Sequence, residues 1–131
     1  MIIPKKIYLV DDDSDDRLFI KNAFKELQIE VNIIEAGNGY ELLQLLEEEN
    51  DLISMIILDM NMPRMNGLET LTTLKSHPVF NKIPIVMLST ASDLNLISSA
   101  YESGVYNYVS KPVSHDAYID FIKFLKLHFS L

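Results

Sequence analysis

Short apolar runs alternate with helix-period segments from one end of this chain to the other, and that alternation leaves few folds open. Lys6 to Val10, Val31 to Ala36, Met55 to Asp59, Ile85 to Ser89 and Tyr106 to Val109 are each about five residues long and rich in β-branched or aromatic side chains. Between them lie helical patterns. From Ser14 to Leu27, the residues Phe19, Ile20, Ala23, Phe24 and Leu27 share one face of a 3.6-residue period. Tyr40 to Glu48 carries Leu42, Leu43, Leu45 and Leu46. Gly67 to His77 stops before Pro78, and Asp93 to Ser103 is stopped by Gly104. Ser114 to Phe129 forms the last helix. Strands separated by helices need crossover connections and therefore a parallel sheet.

In such a sheet all strand ends lie on one edge, where open α/β folds place their sites. Here the first strand runs into Asp11, Asp12 and Asp13, and the third ends at Asp59. The fourth ends at Ser89 and Thr90, and the fifth leads to Lys111-Pro112. Acid, acid, hydroxyl and lysine on one edge can hold a hard cation, a carboxylate nucleophile and a phosphoryl group together. Ser89 or Lys111 alone is an ordinary residue; their joint placement carries the weight.

A chain of 131 residues is one domain by length, and no linker, repeat or low-complexity segment divides it. The net charge of −8 excludes a nucleic-acid binder, which needs a basic patch. No apolar stretch approaches the roughly 20 residues of a membrane span. Met1-Ile2-Ile3-Pro4-Lys5-Lys6 lacks the long apolar region of a secretion signal. With no cysteine, disulfide and thiolate chemistry are excluded. A cytoplasmic protein is expected.

Other motifs have plainer readings. Asp13, Asp15 and Asp16 suit a helix N-terminus, where acids cap and complement the dipole. That does not account for adjacent acids at a buried strand end, so Asp11 and Asp12 point to a divalent-cation site. A calcium loop starting at Asp11 would need glycine at position 16 and glutamate at position 22; Asp16 and Asn22 exclude it. Gly37-Asn38-Gly39 follows the second strand and reads as a turn, not a dinucleotide loop. Glu47-Glu48-Glu49 reads as a solvated face. Met60, Met62 and Met65 fill space beneath the loop after Asp59. His77, His115 and His128 have no ligand spacing and are expected in exposed or helix-end roles.

Four segments together resemble the receiver domain of two-component response regulators. They are Leu9 to Asp13, Ile56 to Gly67, Pro84 to Thr90 and Tyr108 to Pro112. The resemblance runs from about Lys6 to Leu127. Asp13-Ser14-Asp15-Asp16-Arg17 and Lys111-Pro112-Val113-Ser114 are also similar to the small stand-alone regulators paired with bacterial phytochromes. The resemblance implies a flavodoxin-like, doubly wound sheet of five parallel strands in the order 2-1-3-4-5.

It further implies that Asp59 is the phosphoacceptor for a sensor histidine kinase or phosphotransfer protein. Asp12 and Asp59 would bind Mg²⁺ (or Mn²⁺) through their side chains, Asn61 through its backbone carbonyl, and Asp11 mainly through water. Lys111 would pair with Asp59 or the phosphoryl oxygens, and Ser89 would donate to one of those oxygens. Ser89 and Tyr108 would form the switch, Ser89 moving toward the phosphoryl group and Tyr108 swinging inward. The Lys111-Pro112 peptide is expected to be cis, as the resemblance implies.

The chain departs from the family's usual threonine at Ser89 and from its small residue at Thr90, whose bulk would crowd the phosphoryl approach. Asn61 and Ala91 occupy the two places that tune phosphoryl lifetime in the family. Two other classes remain: an aspartate-nucleophile phosphatase of the haloacid dehalogenase type, and a receiver-like scaffold that works without phosphorylation. The first needs a second aspartate as general acid, where Asn61 stands.

The chain ends soon after the fifth helix, so no output domain is expected. The signal would leave to an unknown downstream protein by contact or onward phosphotransfer. On the last helix, Tyr118, Phe121, Ile122, Leu125 and Phe129 form one stripe at about 100° per residue. Phe124, Leu127 and Leu131 fall outside it. A surface helix needs only about a 100° apolar stripe, so the surplus predicts a homodimer through this helix and its neighbours, the fourth helix and fifth strand; the alternative is a C-terminal tail folded back over the domain.

Overall fold

The computed structural model describes residues 4–131. The expectation about a secretion signal therefore falls partly on Met1, Ile2 and Ile3, outside the described residues. Five strands, β1 (Lys5–Val10), β2 (Val31–Ala36), β3 (Ile53–Asp59), β4 (Ile85–Ser89) and β5 (Asn107–Ser110), pair in parallel in the order β2-β1-β3-β4-β5. Between and after them run α1 (Ser14–Glu26), α2 (Gly39–Glu47), α3 (Gly67–Ser76), α4 (Leu94–Glu102) and α5 (His115–Phe129). This is the doubly wound, flavodoxin-like order that the sequence resemblance implies.

Strand side chains alternate between faces, and each face has its own core. Ile7 and Leu9 of β1, with Met55, Ile57, Val86 and Leu88, pack against Ile20 and Phe24 of α1 and Phe121, Ile122 and Leu125 of α5. Tyr8 and Val10, with Ile56, Leu58, Ile85 and Met87, pack against Leu42 and Leu46 of α2, Leu71 and Leu74 of α3 and Ala100 of α4. Burial of the strands on both faces explains their near-continuous apolar runs.

Each helix starts on a side-chain cap. Asp13, Asn38, Asn66, Asp93 and Ser114 accept from the backbone N–H of Asp15, Glu41, Glu69, Asn95 and Ala117, respectively. Asn66 and Glu69 complete a reciprocal capping box. Gly37-Asn38-Gly39 is thus a turn that ends in a helix cap. Gly104, at φ 99, takes the left-handed conformation that ends α4.

Two surface expectations change. Glu49 is not solvated: its carboxylate lies 2.8 Å from Lys6 Nζ and accepts the Tyr8 hydroxyl. The start of β1 supplies both partners, far away in sequence, so a local acidic run gave no sign of them. Glu47 and Glu48 are exposed as expected.

At the other end, Ser130 adopts a left-handed conformation and the Leu131 N–H donates to the Lys126 carbonyl at 3.2 Å. Leu131 and Phe124 pack partly onto the α1–α5 core, and Phe129 lies against the Tyr106 ring. The tail does fold back, but only over its last residues. Leu127 stays 80% exposed. Among the described residues no helix is long and apolar enough to cross a membrane.

Candidate functional site

The parallel register delivers four strand ends to one edge. Val10 pairs with Leu58, Asp59 with Leu88, and Ser89 with Ser110. Asp11, Asp59 and Ser89 are therefore fixed by the ladder, and each is at most 2% exposed. One further ladder-like bond, from the Lys111 N–H to the Ser89 carbonyl at 2.9 Å, sets where Lys111 leaves the sheet. Its Nζ lies 3.0 Å from Asp11 Oδ2, 3.4 Å from Asp59 Oδ2 and 2.7 Å from Asp16 Oδ2.

The expected cis bond at Lys111-Pro112 is not found; no peptide among the described residues is cis. A trans bond suffices here, because the lysine stem reaches three carboxylates from it.

Asp11, Asp12 and Asp59 each bring a carboxylate oxygen within 4.8 Å of the others. Asp12 is exposed and the other two are buried. Asp11 Oδ1 accepts the Asp13 N–H at 2.9 Å. Its Oδ2 is buried without a well-aligned hydrogen bond, although Lys111 Nζ is close. Such an orphaned acceptor, within an all-oxygen donor set, fits a hard divalent cation.

Burial, reinforced by the Asp11 charge, pushes the Asp59 carboxyl up to about 6 despite Lys111. Burial likewise raises Asp11. For Lys111, burial acts to lower the pKa, but the bonds to Asp16 and Asp11 outweigh it and the net direction is upward. Three carboxylates, from Asp11, Asp16 and Asp59, surround this one ammonium.

The loop after Asp59 is held tightly. The Met60 N–H donates to the Leu88 carbonyl at 2.8 Å and the Gly67 N–H to the Met60 carbonyl at 2.9 Å. Met60, Met62 and Met65 are buried beneath it. The Asn61 N–H donates to Asp59 Oδ1 at 3.3 Å, and its side-chain amide donates to Thr90 Oγ1 at 3.0 Å. Thr90 is exposed and spans the mouth of the site to Asn61. Ser89 Oγ accepts the Ala91 N–H at 3.0 Å. Tyr108 is half-buried, and its hydroxyl donates to the Ala91 carbonyl at 3.1 Å.

Two residues here were not legible as site residues. Asp16 was explained by its place in the first turn of α1, and nothing local distinguishes it from Asp15. Arg17 donates to the Asp11 carbonyl and pairs with Glu35 at 3.0 Å, bracing the backbone of Asp11 against β2. The histidines lie elsewhere. His77 Nδ1 accepts the Val79 N–H at 3.0 Å, His115 pairs with Glu26 at 2.9 Å, and the His128 ring packs on Phe124.

A five-stranded 2-1-3-4-5 sheet with buried acids, a hydroxyl and a lysine along one edge defines a receiver-type α/β domain. Residues 7–123 match the family described as the response regulator receiver domain. Chemotaxis protein CheY1 of Helicobacter pylori (strain ATCC 700392 / 26695) is 37% identical over 107 residues, which cover 82% of this chain and 85% of that protein. The phosphorylated cyanobacterial phytochrome response regulator RcpA superposes with a TM-score of 0.88 at 27% identity, covering 98% of this chain and 95% of that one. The Mn²⁺-bound form of response regulator Rcp1 gives 0.83 at 25% identity, covering 94% and 92%. The chain belongs to the response regulator receiver family of two-component signalling and resembles both CheY proteins and phytochrome response regulators.

Proposed function

We propose that Asp59 accepts a phosphoryl group from the phosphohistidine of a sensor histidine kinase or phosphotransfer protein. The observation that carries this reading is the buried Asp59 carboxylate at the end of β3, 3.4 Å from the Lys111 ammonium and grouped with the carboxylates of Asp11 and Asp12. The P–N bond of the donor breaks as the P–O bond to Asp59 forms, and the imidazole leaves. Such transfer asks the protein mainly for positioning and charge stabilisation.

Asp11, Asp12 and Asp59 would hold Mg²⁺, with Asn61 completing the set through its carbonyl; Mn²⁺ would suit the same oxygens. The cation supplies neutralisation of phosphoryl charge. Lys111 provides a second positive charge beside Asp59, and Ser89 a hydroxyl donor whose O–H is not used by its bond from Ala91. The protein is a phosphoacceptor, limited in its own chemistry to gaining and losing this group. The receiver unit runs from about Lys6 to Leu127, and on this reading the exchange takes place in the cytoplasm.

Downstream signalling passes to another protein by contact or onward transfer. Self-association belongs to the same proposal, through α5, α4 and β5. Leu127, Leu94, Tyr101 and Tyr106 are among the exposed apolar groups of these elements and the turn into β5.

Incubation with acetyl phosphate and Mg²⁺ tests the reading. A stable acyl phosphate on the chain is expected. Donor turnover without label would favour a phosphatase, and no reaction a scaffold.

A further inference from the structure

We propose that Asp16 is a positioning residue for Lys111, resting on the cation site proposed above. Asp16 holds the ammonium on the α1 side of the pocket and so keeps the Asp11 and Asp59 carboxylates available to the cation.

Lys111 Nζ is nearer to Asp16 than to either strand-end acid, 2.7 Å against 3.0 Å and 3.4 Å. Asp16 is not the cap of its own helix; Asp13 supplies it. Its second oxygen instead takes a long bond, 3.5 Å, from the Tyr118 hydroxyl on α5. Tyr118 is in turn packed against Phe19, ring centroids 5.6 Å apart. One carboxylate from the first turn of α1 is thus held between Lys111 and α5.

A lysine ammonium is a compact point charge on a flexible stem and follows its nearest acceptors. Without Asp16, the acceptors left to it are Asp11 Oδ2 and Asp59 Oδ2. Those carboxylates are two of the three that gather around the candidate cation position. The ammonium and a divalent cation then compete for the same oxygens. Loss of the Asp16 charge weakens the attraction for the cation as well, so both effects act in one direction.

Mg²⁺ titration of the unphosphorylated full chain, read by calorimetry or by amide shifts in the loop after Asp59, tests this. Asp16→Asn is expected to weaken Mg²⁺ binding about tenfold, as changes to residues that orient metal ligands do. Asp15→Asn removes the same charge one residue away, from an exposed side chain that pairs with no cation among the described residues. It should shift the affinity less than about twofold, as a screened surface charge does. In a Lys111→Ala background, the Asp16→Asn effect should shrink to that of Asp15→Asn. Equal effects of the two Asn variants overturn the positioning role, and so does an Asp16→Asn effect that persists without Lys111. A wild-type chain that binds no Mg²⁺ at millimolar concentration overturns the cation site, and the positioning role with it.

Discussion

Ser89 and Tyr108 grip the same residue. Ala91 donates its N–H to Ser89 Oγ at 3.0 Å, and its carbonyl accepts the Tyr108 hydroxyl at 3.1 Å. A displacement of Ser89 Oγ toward a group on Asp59 would lengthen its bond from Ala91. Any such displacement frees the start of the β4–α4 loop and loosens the seat of the Tyr108 ring. We propose that this pair forms a two-state element with a local trigger, the form a phosphorylation switch takes. With a beryllofluoride mimic and Mg²⁺, the Ala91 amide resonance should shift strongly, and Ser89→Ala should largely abolish the shift. An Ala91 amide unmoved by the mimic would contradict the coupling.

Gly67 is a second fixed point. A Cβ built there would lie 2.5 Å from the Asp59 carbonyl oxygen and 2.6 Å from Met60 Cα. Both are backbone atoms and cannot step aside cheaply. Gly67→Ala should therefore destabilise the fold by about 1–3 kcal/mol, the range for overpacking, and slow phosphoryl uptake by displacing Asp59. Urea unfolding and uptake rates check this. An unchanged urea midpoint would mean that the loop is softer than its backbone bonds indicate.

The acidic pocket carries a cost of its own. Burial and the Asp11 charge raise the Asp59 carboxyl from 3.8 to about 6. For an acid whose folded value is raised, the stabilising contribution is intact below the unfolded value and lost as pH rises through the folded one. Between about pH 4 and pH 6 the cation-free protein thus loses stability at this residue. Asp59→Asn should stabilise the protein by about 1–2 kcal/mol at pH 7 and far less at pH 4, measured by urea unfolding with a chelator present. A larger gain at pH 4 would contradict the sign.

The strand-end logic made much of the site legible. Asp11, Asp59, Ser89 and Lys111 follow apolar runs whose ends a parallel sheet must align, and β2 and β4 have the very bounds their patterns indicate. Strand order rested on resemblance, since period and composition do not rank neighbours. What stayed hidden depended on partners distant in sequence. Glu49 meets Lys6 and Tyr8 only after β1 pairs with β3, and Asp16 meets Lys111 only after α1 packs beside α5. The trans Lys111-Pro112 bond was missed because resemblance was the sole basis for expecting cis.

The face formed by α4, β5 and α5 gives another test. Leu127 of α5 is 80% exposed, and the rings of Tyr101 on α4 and Tyr106 before β5 are half-exposed. A dimer through this face should form at tens of micromolar with a phosphoryl mimic, and Leu127→Glu should return it to monomer. Sedimentation of both proteins decides; a monomeric wild type under those conditions rules the dimer out.

The central claim, that Asp59 is the phosphoacceptor, is tested most directly by intact-mass measurement after incubation with acetyl phosphate. Wild type with Mg²⁺ should gain one phosphoryl group per chain, and wild type with a chelator almost none. Asp59→Asn should gain none in either case. Uptake by Asp59→Asn at the wild-type level would contradict the account.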